Sequence, residues 1–356
     1  MDTQVILTSR QEEAGTTLGA TLIRSGELVA FPTETVYGLG ANGFDGAAVN
    51  RIFEAKGRPN DNPLILHIDK KSELKRLWAH VPERALPLIE TFWPGPLTLI
   101  FHKADAVPYE VTAGLETVAV RMPSDRTARA LIRKAGVPIA APSANRSGRP
   151  SPTTARHVLK DMDGRIPLIL DGGPCKYGVE STVLTLVGEP MILRPGAITR
   201  EMLEAVIGPV RLSQSILKPL GEREVAASPG MKYKHYAPEA KVVVVDGTPE
   251  QTAKCVLSLY YDYTEQGKRV EILATEQTSM RYRGASATSI GDRAHPETLC
   301  QNLFSSLREI GSSCDVILAE GVDAEEEGLA YMNRLLRAAG FTRVDAATYF
   351  TKNRTE

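Results

Sequence analysis

The chain has 356 residues, with 42 Lys and Arg against 43 Asp and Glu, a formal net charge of -1, 42% hydrophobic and 24% charged residues. That composition excludes a disordered, collagen-like or fibrous protein, and the length suits two domains, each able to bury a core. A duplex-binding protein is expected to carry a surplus of Lys and Arg for its phosphate contacts, so the balanced charge favours a small substrate.

The start, MDTQVILTSRQEEAG, has no basic segment leading into an apolar stretch, and nowhere do about 18 apolar residues run together. The expectation is a cytoplasmic protein, neither secreted nor membrane-spanning. In the first half, the runs GELVAFPT, NPLILHI, PLTLIFH, TVAVRMP, VPIAAPS and PLILDGG end at Pro or Gly and read as strands. A helix is predicted to start after Asp45, to place Val49, Ile52 and Phe53 on one face and to stop at Gly57. Another is predicted from Ser124 through Ala128, Leu131 and Ile132 to Gly136. GVESTVLTLVGEPMILRPG reads as two strands joined by a Gly-Glu-Pro turn. These elements predict an α/β domain on a mixed sheet over residues 1–208.

Residues 209–240 hold no sustained period of 2 or 3.6, and a structureless connection that long is usually functional or disordered. Fully extended it could reach on the order of 100 Å, enough to lie across the first domain as a lid. Over 241–356 the pattern becomes regular. KVVVVDG, RVEILAT and CDVILAEGV alternate with three helical faces: Ala253, Val256, Leu257 and Tyr260; Leu299, Leu303, Leu307 and Ile310; Leu329, Met332 and Leu336. Thr248-Pro249-Glu250-Gln251 supplies a capping box for the first of these helices. Alternating strand and helix predicts a smaller, parallel, Rossmann-like domain. No G-x-G-x-x-G opens any of its helices, so dinucleotide binding is not indicated.

Cys175, Cys255, Cys300 and Cys314 are widely spaced and form no C-x-x-C pair, so they signal neither a zinc site nor a disulfide framework. G-x-x-x-x-G-K-[ST], H-E-x-x-H and G-x-S-x-G are also missing. Lys56 and Arg58 flank Gly57 at a helix end, where two cations either complement the helix dipole or meet a polyanion. Arg121, on a strand among small and apolar neighbours, needs an anion: an internal carboxylate, or a substrate carboxylate gripped by its planar fork. APSANRSG ends an apolar strand in Ser143, Asn145 and Ser147, donors that either wrap a phosphate or precede a helix capped by Ser151 or Thr153. His67 reads first as a core histidine, and Ser181 and Thr182 as sheet residues.

Taken in order, PTETVYGLG, the K-x-R-P loop followed by NPL and a histidine, S-A-N-x-S-G, and S-P-G-M-x-x-x-H-Y-A-P resemble the YrdC-like threonylcarbamoyl-AMP synthase family in its long, two-domain form. The resemblance implies a twisted catalytic domain with a concave site, a linker covering it, and a C-terminal Rossmann-like domain. It implies that L-threonine, bicarbonate and ATP, with Mg²⁺, give threonylcarbamoyladenylate and pyrophosphate. A separate complex would then transfer the threonylcarbamoyl group to tRNA. By matching position, Thr35, His67, Arg121 and Ser181 would contact threonine. Arg58, Asn62, Thr117, Ser143, Asn145, Arg194 and Tyr236 would contact ATP, with Lys56 and Arg58 neutralising its phosphates. No protein-bound metal site is expected. Two other readings stand beside this one: a double-stranded RNA or tRNA-binding module without catalysis, and a carbamoyltransferase. The second lacks the acylphosphatase segment and cysteine-rich zinc motifs that accompany such domains.

Overall fold

A computed structural model describes residues 2–218 and 236–352. They form two compact units, one chiefly before residue 217 and one chiefly after residue 235. The division follows the change in sequence texture from short, Pro-ended runs to regular strand-helix alternation.

The first unit is built on strands β1 (Gln4–Leu7), β2 (Val29–Phe31), β3 (Gly38–Asn42), β4 (Ile65–His67), β5 (Leu97–His102), β6 (Thr117–Arg121), β7 (Ile139–Ala141), β8 (Leu168–Asp171), β9 (Thr182–Thr185), β10 (Met191–Arg194) and β11 (Arg211–Leu212). They lie in the order β1-β8-β2-β3-β7-β4-β6-β5-β9-β10-β11. Parallel pairs such as β4 with β6 alternate with antiparallel ones such as β5 with β6, which makes the sheet mixed, as the sequence predicts. The predicted helix after Asp45 is Gly46–Lys56: the Asp45 carboxylate accepts from the amides of Ala47 and Ala48, and Gly57 closes it in the left-handed region at φ 66°. The next predicted helix is Arg126–Ala135, capped by Asp125 rather than started at Ser124. Ser151 and Thr153 do not cap the helix that follows them, Ala155–Met162; Thr154 does, accepting from the His157 amide.

The sequence pattern hides the helix Thr8–Arg24, whose Gly15, Gly19 and four threonines are poor helix formers. Packing requires those glycines. A Cβ on Gly15 would come within 2.9 Å of Ile6 Cγ2, and one on Gly19 within 2.9 Å of Leu131 Cδ1. That helix and Arg126–Ala135 cover one core, where Ile23, Val29, Phe31, Leu131, Ile139 and Leu168 are fully buried.

The second unit has five strands, β12 (Lys241–Asp246), β13 (Val270–Ala274), β14 (Ala287–Ser289), β15 (Val316–Glu320) and β16 (Arg343–Asp345), ordered β14-β13-β15-β12-β16. All of its pairings are parallel, which agrees with the Rossmann-like expectation. The capping box at Thr248 and Gln251 forms at the start of helix Pro249–Glu265. All four cysteines are buried and free. Among the described residues no helix is long and apolar enough to cross a membrane.

Leu131→Ala would empty the centre of the first unit's core, and a loss of about 2–5 kcal/mol is expected in urea-denaturation midpoints compared at equal m-value.

Candidate active site

A buried polar row crosses the first unit's sheet. His67 ends β4 and Arg121 ends β6, and parallel pairing makes them direct register partners. On the other side Arg121 is paired with Thr98 of β5, and β5 in turn with β9. Thr98 and Ser181 join hydroxyls at 2.7 Å, and Arg194, which ends β10, donates from Nη2 to Ser181 Oγ and from Nε to the Ser181 carbonyl, both at 3.1 Å. Adjacent strands thus bring together five residues, His67, Thr98, Arg121, Ser181 and Arg194, from separate parts of the sequence. Gly196 permits the approach: a Cβ there would meet the Thr182 nitrogen at 2.4 Å.

Arg121 is 3% exposed. Its Nη2 forms an ion pair with Glu34 at 2.6 Å, Nη1 donates to Thr35 Oγ1 at 2.9 Å, and Nε donates to the Gly95 carbonyl at 3.2 Å. The internal carboxylate that the strand arginine called for therefore exists. Three N–H groups are engaged, and two of the guanidinium's five remain for a second anion. Burial would raise the Glu34 carboxyl, but the charge and hydrogen bond of Arg121 bring it below the ordinary carboxylate range. Burial, then the Arg121 charge, pulls the His67 imidazole down to about 3. His67 Nδ1 lies 3.1 Å from the Ile65 carbonyl and 3.3 Å from that of Ile139. A nitrogen between two carbonyls carries the proton, so Nε2 is left as an acceptor.

The other predicted residues lie on several elements of the two units. Lys56, also 3% exposed, donates from Nζ to the Ser143 carbonyl at 2.5 Å and the Asn145 carbonyl at 2.6 Å. It braces the S-A-N loop from across the unit, which replaces the simpler reading of a cation resting on its own helix end. Within that loop Ser143 Oγ donates to Asn145 Oδ1 at 2.6 Å. Asn62 is fully buried, and neither atom of its amide has a hydrogen-bond partner among the described residues. Buried amides are seldom left so, and a bound water, ion or ligand would supply what is missing. Arg58 lies over the Phe53 ring at 5.5 Å. Thr117 begins β6, four residues before Arg121, and so lies roughly 13 Å along the strand at 3.3 Å per residue. Tyr236 belongs to the second unit, where its ring lies 5.0 Å from that of Phe304 and beneath the Arg334 guanidinium.

Glu34, Thr33, Thr98 and Glu180 are among the buried polar residues that the motif reading does not single out. Glu180 accepts from Ser151 Oγ at 2.5 Å. Cys175 sits nearby, its amide donating to the Thr153 carbonyl, and burial pushes its thiol well above the usual range.

Glu34→Gln would leave the buried guanidinium without its counter-charge, and urea denaturation should show a loss of about 3–5 kcal/mol. For His67 the folded value lies below the ordinary 6.5, so only the unfolded chain gains a proton as pH falls from 6.5 towards 3. Its contribution to stability is complete above pH 6.5 and is lost on acidification. Nitrogen-15 NMR should find the His67 ring neutral, with hydrogen on Nδ1, down to about pH 5; a midpoint near 6.5 would contradict the geometry.

A family profile described as "Telomere recombination" matches residues 21–196, and one described as "Threonylcarbamoyl-AMP synthase, C-terminal domain" matches residues 198–340. The chain is similar to the Bacillus subtilis threonylcarbamoyl-AMP synthase, 51% identical over 90% of this chain and 92% of that one. It is also similar to the Pyrococcus abyssi enzyme of the same name, at 48% identity over 93% and 96%. Among solved structures, P. abyssi Sua5 complexed with L-threonine superposes with a TM-score of 0.87 at 46% identity, covering 93% of this chain and 95% of that one. A second P. abyssi Sua5 structure, of a variant, gives 0.90 at 45% identity over 96% and 98%. Agreement at these identities over both units establishes that the chain belongs to the threonylcarbamoyl-AMP synthase family.

Proposed function

We propose that the first unit joins L-threonine, bicarbonate and ATP into threonylcarbamoyl-AMP. The observation that carries this reading is the row itself. Arg121 keeps two donors for a carboxylate, and the neutral His67 beside it offers an acceptor for a hydroxyl hydrogen. A β-hydroxy amino acid supplies both groups.

The threonine amine attacks the carbon of bicarbonate; an N–C bond forms, a C–O bond breaks, and the departing hydroxyl leaves as water with the hydrogen lost from nitrogen. A carbamate oxygen then attacks the α-phosphorus of ATP as the bond to pyrophosphate breaks. Such a transfer depends on positioning and on charge stabilisation, so no covalent nucleophile is required. ATP enters as its magnesium complex, the usual form for a phosphate-bound Mg²⁺. In this reading Arg58 and Arg194 face the phosphates, Asn62, Thr117, Ser143 and Asn145 hold the nucleotide, and Ser181 completes the threonine pocket. Lys56 neutralises phosphate charge and, through the Ser143 and Asn145 carbonyls, fixes the loop that receives it.

Residues 1–208 then form the catalytic domain, 241–356 the C-terminal domain, and 209–240 a lid that keeps water from a labile mixed anhydride. Most of that lid lies outside the described residues; Tyr236 would be its contact to the nucleotide. A separate enzyme complex would consume the product on tRNA in the cytoplasm, and tRNA is itself a candidate partner of this chain.

Mass analysis of a reaction containing threonine, bicarbonate and ATP tests the proposal. Threonylcarbamoyl-AMP and pyrophosphate are expected in equal amounts, and ATP–pyrophosphate exchange should require threonine and bicarbonate, which a plain RNA-binding module would not show. Lys56→Ala and Arg58→Ala should each slow pyrophosphate release by about 100-fold or more. Deletion of residues 209–240 should shorten the lifetime of the adenylate.

A further inference from the structure

Thr33 lies two residues before Thr35 and has no part in the reaction just described. It is buried, and its Oγ1 stands 2.6 Å from the Val36 carbonyl oxygen. A carbonyl has no hydrogen to give, so the Thr33 hydroxyl donates there. Its single hydrogen is then spent, its oxygen also accepts from the Thr35 and Val36 amides at 3.1 and 3.2 Å, and the 2.8 Å contact between the Thr33 and Thr35 hydroxyls is filled by the hydrogen of Thr35. Arg121 Nη1, a donor only, gives a hydrogen to the same Thr35 oxygen at 2.9 Å. Hydrogens therefore run one way, from Arg121 through Thr35 and Thr33 to the Val36 carbonyl. Thr35 has given its hydrogen and accepted another, and one lone pair is left over.

We infer that Thr33 is a positioning residue that fixes Thr35 as a hydrogen-bond acceptor toward the amino acid, and that the group received there is the substrate's amine N–H. The inference rests on the proposed function and deepens it. Thr35 sits against the guanidinium that would hold the carboxylate, and the α-amine is the donor one carbon away. The hydroxyl, one carbon further, falls to the second acceptor, His67 Nε2. An N–H directed at Thr35 turns the nitrogen lone pair away from it, towards the incoming carbon. After the N–C bond forms, the carbamate nitrogen still carries one hydrogen, so the contact outlasts the step. N-methyl-L-threonine would have none left.

Thr33→Val removes the relay, together with the acceptor of the Thr35 and Val36 amides, and lets the Thr35 hydroxyl turn its hydrogen towards the substrate. Threonine binding by calorimetry and steady-state KM should weaken about 10-fold, KM for ATP should stay within about twofold, and Thr33→Ser should restore threonine binding. The preference for threonine over N-methyl-L-threonine should shrink, while the preference over L-2-aminobutyrate, which lacks the hydroxyl, should persist. Thr33→Ala serves the same test if valine is not accommodated in the fold. Wild-type threonine affinity in the valine and alanine variants, or a selectivity change that falls on L-2-aminobutyrate, would overturn the inference. Failure of the wild-type chain to make the adenylate would overturn the functional reading instead, and the calorimetric comparison would still decide the role of Thr33.

Discussion

The first unit is organised around a cation where a sheet would ordinarily have an aliphatic side chain. Burying an unpaired guanidinium costs several kcal/mol, and Arg121 is almost wholly buried. Glu34 supplies the opposite charge, the Gly95 carbonyl and the Thr35 hydroxyl supply acceptors, and the adjacent imidazole stays neutral. Each answer to that charge also fixes a group at the site. Thr35 and His67 thus serve both the arginine and the recognition of an amino acid, whose carboxylate would take the two N–H groups that Arg121 has left.

Strand register turns these contacts into a site. β4, β6, β5 and β9 are hydrogen-bonded neighbours, so His67, Arg121, Thr98 and the start of the Ser181 strand fall side by side although the chain visits them in a different order. Lys56 adds a tie from outside the sheet. Its place in the last turn of Gly46–Lys56 is set by the Gly57 cap, and from there its ammonium reaches carbonyls 87 and 89 residues away.

Part of this was legible in the sequence for a physical reason: an arginine within an apolar strand needs an anion, and a serine-asparagine loop after a strand offers small donors, whereas a lysine beside a helix-ending glycine reads as an ordinary complement to the helix dipole until it meets the Ser143 and Asn145 carbonyls. The two fold classes were legible too, because period and punctuation differ so sharply between the halves. What stayed hidden depends on contacts between distant parts of the chain. Glu34 and Thr33 sit within a quoted motif, but their roles depend on the positions of Arg121 and the Val36 carbonyl. Thr98 looks like any strand threonine until Ser181, 83 residues on, meets it. Thr8–Arg24 fails as a helical pattern because its glycines serve packing against Ile6 and Leu131 instead of propensity.

Cys175 bears on a different problem. The activated carbamate that we propose forms here is an acylating agent, and a thiolate within its reach would be modified by it. Cys175 is close enough for Glu34 and Arg121 to influence its ionisation, yet burial keeps it in the thiol form, which is a poor nucleophile. The desolvation that makes the row's charges depend on one another also keeps that thiol protonated.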